Sequence, residues 1–119
     1  MASSKIPYDG CINTSFTLGS GVTQWTVNKV KIDPKRKIAH FWLSYYGKMT
    51  SGQVVASLPS GYTSSANVRF QASVALNNTT TELYYHAIAN GAADIKVEST
   101  VLDGNTQRYI VLTGEIPLT

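Results

Sequence analysis

Val68-Arg69-Phe70-Gln71-Ala72-Ser73-Val74-Ala75-Leu76 alternates in character: Val68, Phe70, Ala72, Val74 and Leu76 are apolar, while Arg69, Gln71 and Ser73 between them are polar. Successive side chains on a β-strand point to opposite faces, so the stretch reads as a strand with one dry face and one wet face. Segments 12–18, 22–32, 37–46, 53–58, 81–89, 94–101 and 106–116 also read as strands, with 67–76 as the fifth of eight in chain order. Turn residues separate them at 19–21, 33–34, 49–52, 59–61, 77–80, 90–91 and 103–105. No segment carries a 3.6-residue period. Eight short strands with a turn every dozen residues predict an all-β domain, antiparallel, in a Greek-key or jelly-roll sandwich or barrel.

Composition agrees. The chain has 119 residues, enough for one core and too few for two. The expected organisation is an N-terminal arm and first strand over 1–21, then a single β-sandwich over 22–119. Charged residues are 14% of the chain, against about 25% in ordinary soluble domains. Ser, Thr, Asn and Gly fill roughly a third of it, a mixture poor in helix formers. Helical bundles, coiled coils and charge-rich disordered tails are disfavoured. A single cysteine, Cys11, makes no internal disulfide and no zinc cluster. No apolar run reaches the roughly 20 residues that span a bilayer, and residues 1–10 lack the blocks of a secretory signal, so membrane insertion is not expected. The sequons at Asn13, Asn77 and Asn78 read as a by-product of Asn and Thr richness.

The net charge is +3, yet five of the ten basic residues are Lys29, Lys31, Lys35, Arg36 and Lys37. Asp33-Pro34 marks a turn among them. The plain reading is a solvated hairpin tip; the sharper one is a patch for an anionic polymer at Lys35, Arg36 and Lys37. The other basic residues are scattered, which argues against nucleic acid as a partner.

Catalytic signatures are sparse. There is no metal-ligand cluster, nucleophile elbow or phosphate-cradling glycine loop, so no catalytic residue, metal or cofactor is expected. Aromatic residues offer more. In 37–46 the positions Ala39, Phe41 and Leu43 make a core face, which leaves His40, Trp42, Ser44 and Tyr46 on the opposite one. Planar rings beside hydrogen-bonding groups suit sugars, whose C–H faces stack on rings while hydroxyls find polar partners. The candidate saccharide site is His40, Trp42, Tyr46 and His86; the alternative is that this face is core or subunit contact.

Three further features have structural consequences. The apolar parity of 22–32 switches near Asn28-Lys29, as a β-bulge or a change of sheet would cause. Strand 106–116 is apolar on both faces, with Ile110 and Leu112 on one and Tyr109 and Val111 on the other, which implies a central position or a subunit contact. Around Asn90-Gly91 the hairpin register stays open: an even loop puts Tyr84, His86 and Ile88 with Ile95 and Val97, and a three-residue loop puts Tyr85 and Ala87 there.

From Gln53 onward, Val54-Val55-Ala56-Ser57-Leu58-Pro59-Ser60-Gly61-Tyr62 resembles the leucine, proline, small residue, glycine, tyrosine turn in the C-terminal head domains of bacteriophage receptor-binding and tail-fibre proteins. Strand 67–76, the Asn90-Gly91 hairpin and a final strand follow at similar spacing. The resemblance implies a homotrimer on a virion, at a tail tip or capsid surface, made in the bacterial cytoplasm. It would bind host surface polysaccharide and contact other virion proteins. Such heads are usually carried on a helical or β-helical stalk, for which residues 1–21 are too short and lack heptads. The alternative is a structural or accessory decoration subunit with no saccharide site. A glycan hydrolase would need two carboxyl groups about 5 to 10 Å apart in a groove.

Overall fold

The computed structural model describes residues 10–76, 80–98 and 102–119. The arm at 1–9, the sequons Asn77 and Asn78 with their turn, and the end of the strand expected at 94–101 lie outside the described residues. Among the described residues nine strands form: β1 (Ile12–Thr14), β2 (Thr17–Leu18), β3 (Val22–Asp33), β4 (Ile38–Thr50), β5 (Val54–Ser57), β6 (Val68–Leu76), β7 (Thr80–Ile88), β8 (Asp94–Glu98) and β9 (Asp103–Pro117). No helix occurs among the described residues, and every ladder is antiparallel.

The hydrogen-bonded order is β1-β3-β4-β9-β6-β7-β8-β5-β2. It folds over into two leaves, a sandwich in place of a closed barrel, because no ladder joins the end strands β1 and β2. Strands β6, β7 and β8 follow one another as neighbours and β5 returns beside β8, which is a Greek key. Nine strands stand where about eight are expected, since segment 12–18 divides at Ser15-Phe16. There the chain leaves β3, its partner through Ile12–Thr14, and crosses to β5, its partner through Thr17 and Leu18. Asn28 fixes the crossing, accepting from the Phe16 amide at 2.9 Å and donating to the Phe16 carbonyl at 2.9 Å. Residues 12–18 thus pair with both leaves of the sandwich.

Between the leaves lies one core. The alternation in β4 puts Ala39, Phe41, Leu43 and Tyr45 inside, beside Ile110, Leu112 and Ile116 of β9. Burying each large aliphatic side chain stabilises the fold by about 1.5–3 kcal/mol. Phe41 stands between two other rings, edge to face with Phe16 at 5.3 Å and with Phe70 at 5.0 Å. It therefore ties the crossing segment, β4 and β6 together. Gly114 makes room for this trio, for a Cβ there would lie 2.7 Å from the Phe70 ring.

The turns follow their residues. Asp33 Oδ1 accepts the amides of Lys35 and Arg36, each at 3.1 Å, and closes the β3–β4 turn. In Leu58-Pro59-Ser60-Gly61-Tyr62, the Tyr62 amide donates to the Pro59 carbonyl at 3.2 Å and Gly61 has φ +95°, the left-handed position of a type II turn. The β7–β8 connection pairs Ile88 with Ile95 and His86 with Val97. That even register sends Tyr84, His86 and Ile88 inward and leaves Asp94, Lys96 and Glu98 in water.

Candidate functional site

The outer face of β4 carries His40, Trp42, Ser44 and Tyr46, as period two requires. Register supplies their neighbours one strand away on each side. His40 lies between Lys31 of β3 and Glu115 of β9, with its Nδ1 3.7 Å from the Glu115 carboxylate. Trp42 lies between Lys29 and Thr113, Ser44 beside Val111, and Tyr46 between Thr23 and Tyr109. The Tyr46 and Tyr109 rings sit 5.3 Å apart, and Trp25 reaches over to Tyr109 at 5.0 Å. Trp42 is 53% exposed, Trp25 45% and Val111 43%. These side chains make a row on the outer face, exposed at Trp42 and closed over at Ser44 between it and the Tyr46, Tyr109 and Trp25 rings. From Trp42 to Tyr46 it runs about 13 Å, at roughly 3.3 Å per residue.

Trp25 joins the row because β3 is irregular. Gln24 pairs with Tyr45 and Asn28 with Leu43, so Trp25, Thr26 and Val27 face the single residue Ser44. Extra residues on one strand arch and twist it. The arch leans over the outer face and covers Ser44, which is 1% exposed although it points outward. Ser44 Oγ accepts the amides of Thr26 at 2.9 Å and Val27 at 3.0 Å and shares a hydrogen bond with Thr26 Oγ1 at 2.7 Å. Without that hydroxyl, two amides under the arch lose their acceptor, at about 1–3 kcal/mol. Ser44→Ala is therefore expected to lower stability by that amount and to weaken the near-ultraviolet circular dichroism of the Trp25–Tyr109 pair. An unchanged spectrum would show that packing alone holds the arch.

His86 is not part of this face. It is fully buried on β7, and its Nε2 meets the Tyr45 hydroxyl of β4 at 2.5 Å across the core. Burial pushes the imidazole down to about 4, outweighing an opposite effect of the Tyr84 main chain. The same burial pushes the Tyr45 phenol well above its ordinary value. Both groups are thus neutral at pH 7 and share one hydrogen bond. His86 ties the leaves together and, buried to 0% exposure, has no open surface to offer a ligand.

Lys35, Arg36 and Lys37 are exposed on the β3–β4 turn, with the Arg36 guanidinium 3.9 Å from Asp33. They lie beyond the His40 end of the row. Among the described residues no group of three or more His, Cys, Asp or Glu could hold a metal ion. Asp94 and Glu98 are four residues apart along β8, about 13 Å, wider than the carboxyl spacing of glycoside hydrolysis.

The structure thus brings three of the four expected residues, His40, Trp42 and Tyr46, onto one face and adds Trp25, Tyr109 and Val111. The doubly apolar middle of β9 was the available signal for Tyr109 and Val111; Trp25 had only the parity switch. Comparison with protein-family models, curated proteins and solved structures found no match.

Proposed function

We propose that this domain binds host cell-surface carbohydrate without catalysing a reaction, through the outer face of β3, β4 and β9. As in the phage heads that the chain resembles, it would act as an oligomer on a virion. One observation carries the reading: half-exposed Trp42, between His40 and the covered Ser44, shares the outer face with the Tyr46, Tyr109 and Trp25 ring cluster, beside Glu115 and Thr113. Rings of this kind offer apolar planes to sugar C–H faces, and the polar neighbours offer donors and acceptors to hydroxyls. The rings bring little side-chain entropy to lose on binding. A shallow site of this type binds weakly alone, and several copies on one particle multiply the engagement through effective concentration.

Trp42→Ala is expected to weaken binding of host wall polysaccharide at least tenfold, or about 1.4 kcal/mol, in a calorimetric titration. Equal affinity of the variant and the parent would remove Trp42 from the site. The exposed Val111 between the rings favours a second reading, in which this face is buried against a neighbouring virion subunit. Acrylamide quenching of tryptophan fluorescence in the assembled oligomer separates the two: a saccharide site stays quenchable, and a subunit contact does not.

A further inference from the structure

We propose that the guanidinium of Arg108 holds a small free oxyanion, a carboxylate or a phosphate, inside one end of the sandwich. The site lies between the leaves, away from the outer face of β3, β4 and β9, so it stands independently of the carbohydrate reading. Arg108 occupies an inward position of β9, in step with Ile110 and Leu112, and is 7% exposed. Arginine stays charged wherever it is placed. A charge so deeply buried is costly unless an opposite charge and hydrogen bonds meet it.

Among the described residues little meets it. Nη1 donates to the Thr106 carbonyl at 3.3 Å, and Cζ lies 5.7 Å from the centre of the Tyr84 ring on β7. Nε, closed off from water, has no hydrogen-bond partner. No carboxylate of the described residues is paired with the group. The nearest acid along the strand, Asp103, is exposed and accepts the Asn105 amide at 2.9 Å. That bond leads the causes that hold its carboxyl below the ordinary range, and the charge of Arg108 comes last among them. Asp103 is therefore not the counter-ion.

The free part of the group has the shape of a receptor. A guanidinium presents its N–H groups in a rigid planar fork, and with Nη1 engaged the edge formed by Nε and Nη2 is left. Two parallel N–H bonds along one edge are the geometry in which carboxylates and phosphates are held. Away from water, such charge-assisted bonds are stronger than on the surface. The strands diverge at this point. β6 pairs with β9 only through Tyr109, Ile110 and Val111, so the ladder ends one residue short of Arg108. Across the other ladder stands Gly47 of β4, which adds no side chain to the row. A ligand of few atoms fits such a corner, and a polymer does not.

The test follows the Nε–H resonance of Arg108 in the full chain by heteronuclear NMR. The chain has three arginines, and Arg108→Lys assigns the signal. Sodium acetate and inorganic phosphate are added in separate arms at constant ionic strength, with chloride as the balance. The expected result is a shift of this resonance that saturates at millimolar oxyanion, while those of Arg36 and Arg69 stay in place. In urea unfolding, the folded-to-unfolded ratio of the parent rises about tenfold when the anion reaches about ten times its Kd. Arg108→Met, with no charge to meet, and Arg108→Lys, with a charge and no fork, lose this response. The acetate and phosphate arms show whether a planar or a tetrahedral anion is preferred. A resonance that neither anion moves overturns the inference and shows that the chain meets the charge by itself. So does a shift that chloride reproduces, or an Arg108→Met variant that gains as much stability from acetate or phosphate as the parent. The resonance is read on the parent, so the decision does not depend on either variant folding.

Discussion

Phe41→Ala is expected to cost the fold about 3–5 kcal/mol, the range for removing a large aromatic side chain from a packed core. A domain of this size has only about 5–15 kcal/mol in total, so the variant stands near the edge of folding at 37 °C. The effect is at the upper end because the ring contacts three parts of the chain that are distant in sequence: Phe16 in the crossing segment, Phe70 on β6 and its own strand. Truncation leaves a cavity that Gly114 cannot fill from below, having no side chain. Urea unfolding measures the difference, and Phe41→Leu provides a milder truncation that keeps most of the volume. A loss below about 1 kcal/mol for Phe41→Ala would mean that the leaves are held together elsewhere.

Acidification from pH 7 to pH 4 is expected to withdraw about 3 kcal/mol through His86 alone. Its imidazole titrates near 4 in the folded protein and near 6.5 when exposed. Between these values the unfolded chain holds the proton and the folded one refuses it. The stabilisation is therefore complete above about pH 6.5 and is lost progressively as pH falls toward 4. Carboxylates titrate in the lower part of this window, so a control must isolate the imidazole. In Tyr45→Phe/His86→Leu both hydrogen-bonding groups are removed, which can be nearly neutral at pH 7. Denaturant midpoints of the double variant should fall less steeply between pH 6.5 and 4. Parallel curves for variant and parent would show that His86 is not the group responsible. Tyr45→Phe alone should be worse than the pair, since it leaves Nε2 buried with no partner, at about 1–3 kcal/mol.

How far the sequence could be read depended on whether a feature is local. Period two in 37–46 placed His40, Trp42 and Tyr46 on one face without any knowledge of what lies opposite. The parity switch near Asn28 signalled the arch in β3 for the same reason. It could not say that the arch would lean outward over Ser44, because that depends on a hydroxyl 18 positions away. His86 was grouped with the surface residues because its face depends on hairpin register, which the turn residues around Asn90-Gly91 did not fix. Once Ile88 pairs with Ile95, parity carries His86 inward. The division of 12–18 into two strands was hidden for a related reason. Ser15-Phe16 has no turn chemistry of its own, and the break comes from partners on two different leaves.

The middle position of β9 has a consequence for how the molecule is made. Of the strands described it is the last to leave the ribosome, yet it lies between β4 and β6. Until it arrives, the earlier strands can form only two unconnected half-sheets, each with an unpaired edge where β9 will sit. Unpaired edges are where nascent chains pair wrongly with one another. Arrival of β9 closes both edges in one step, so quality control of this fold falls on a single, late segment with an apolar middle.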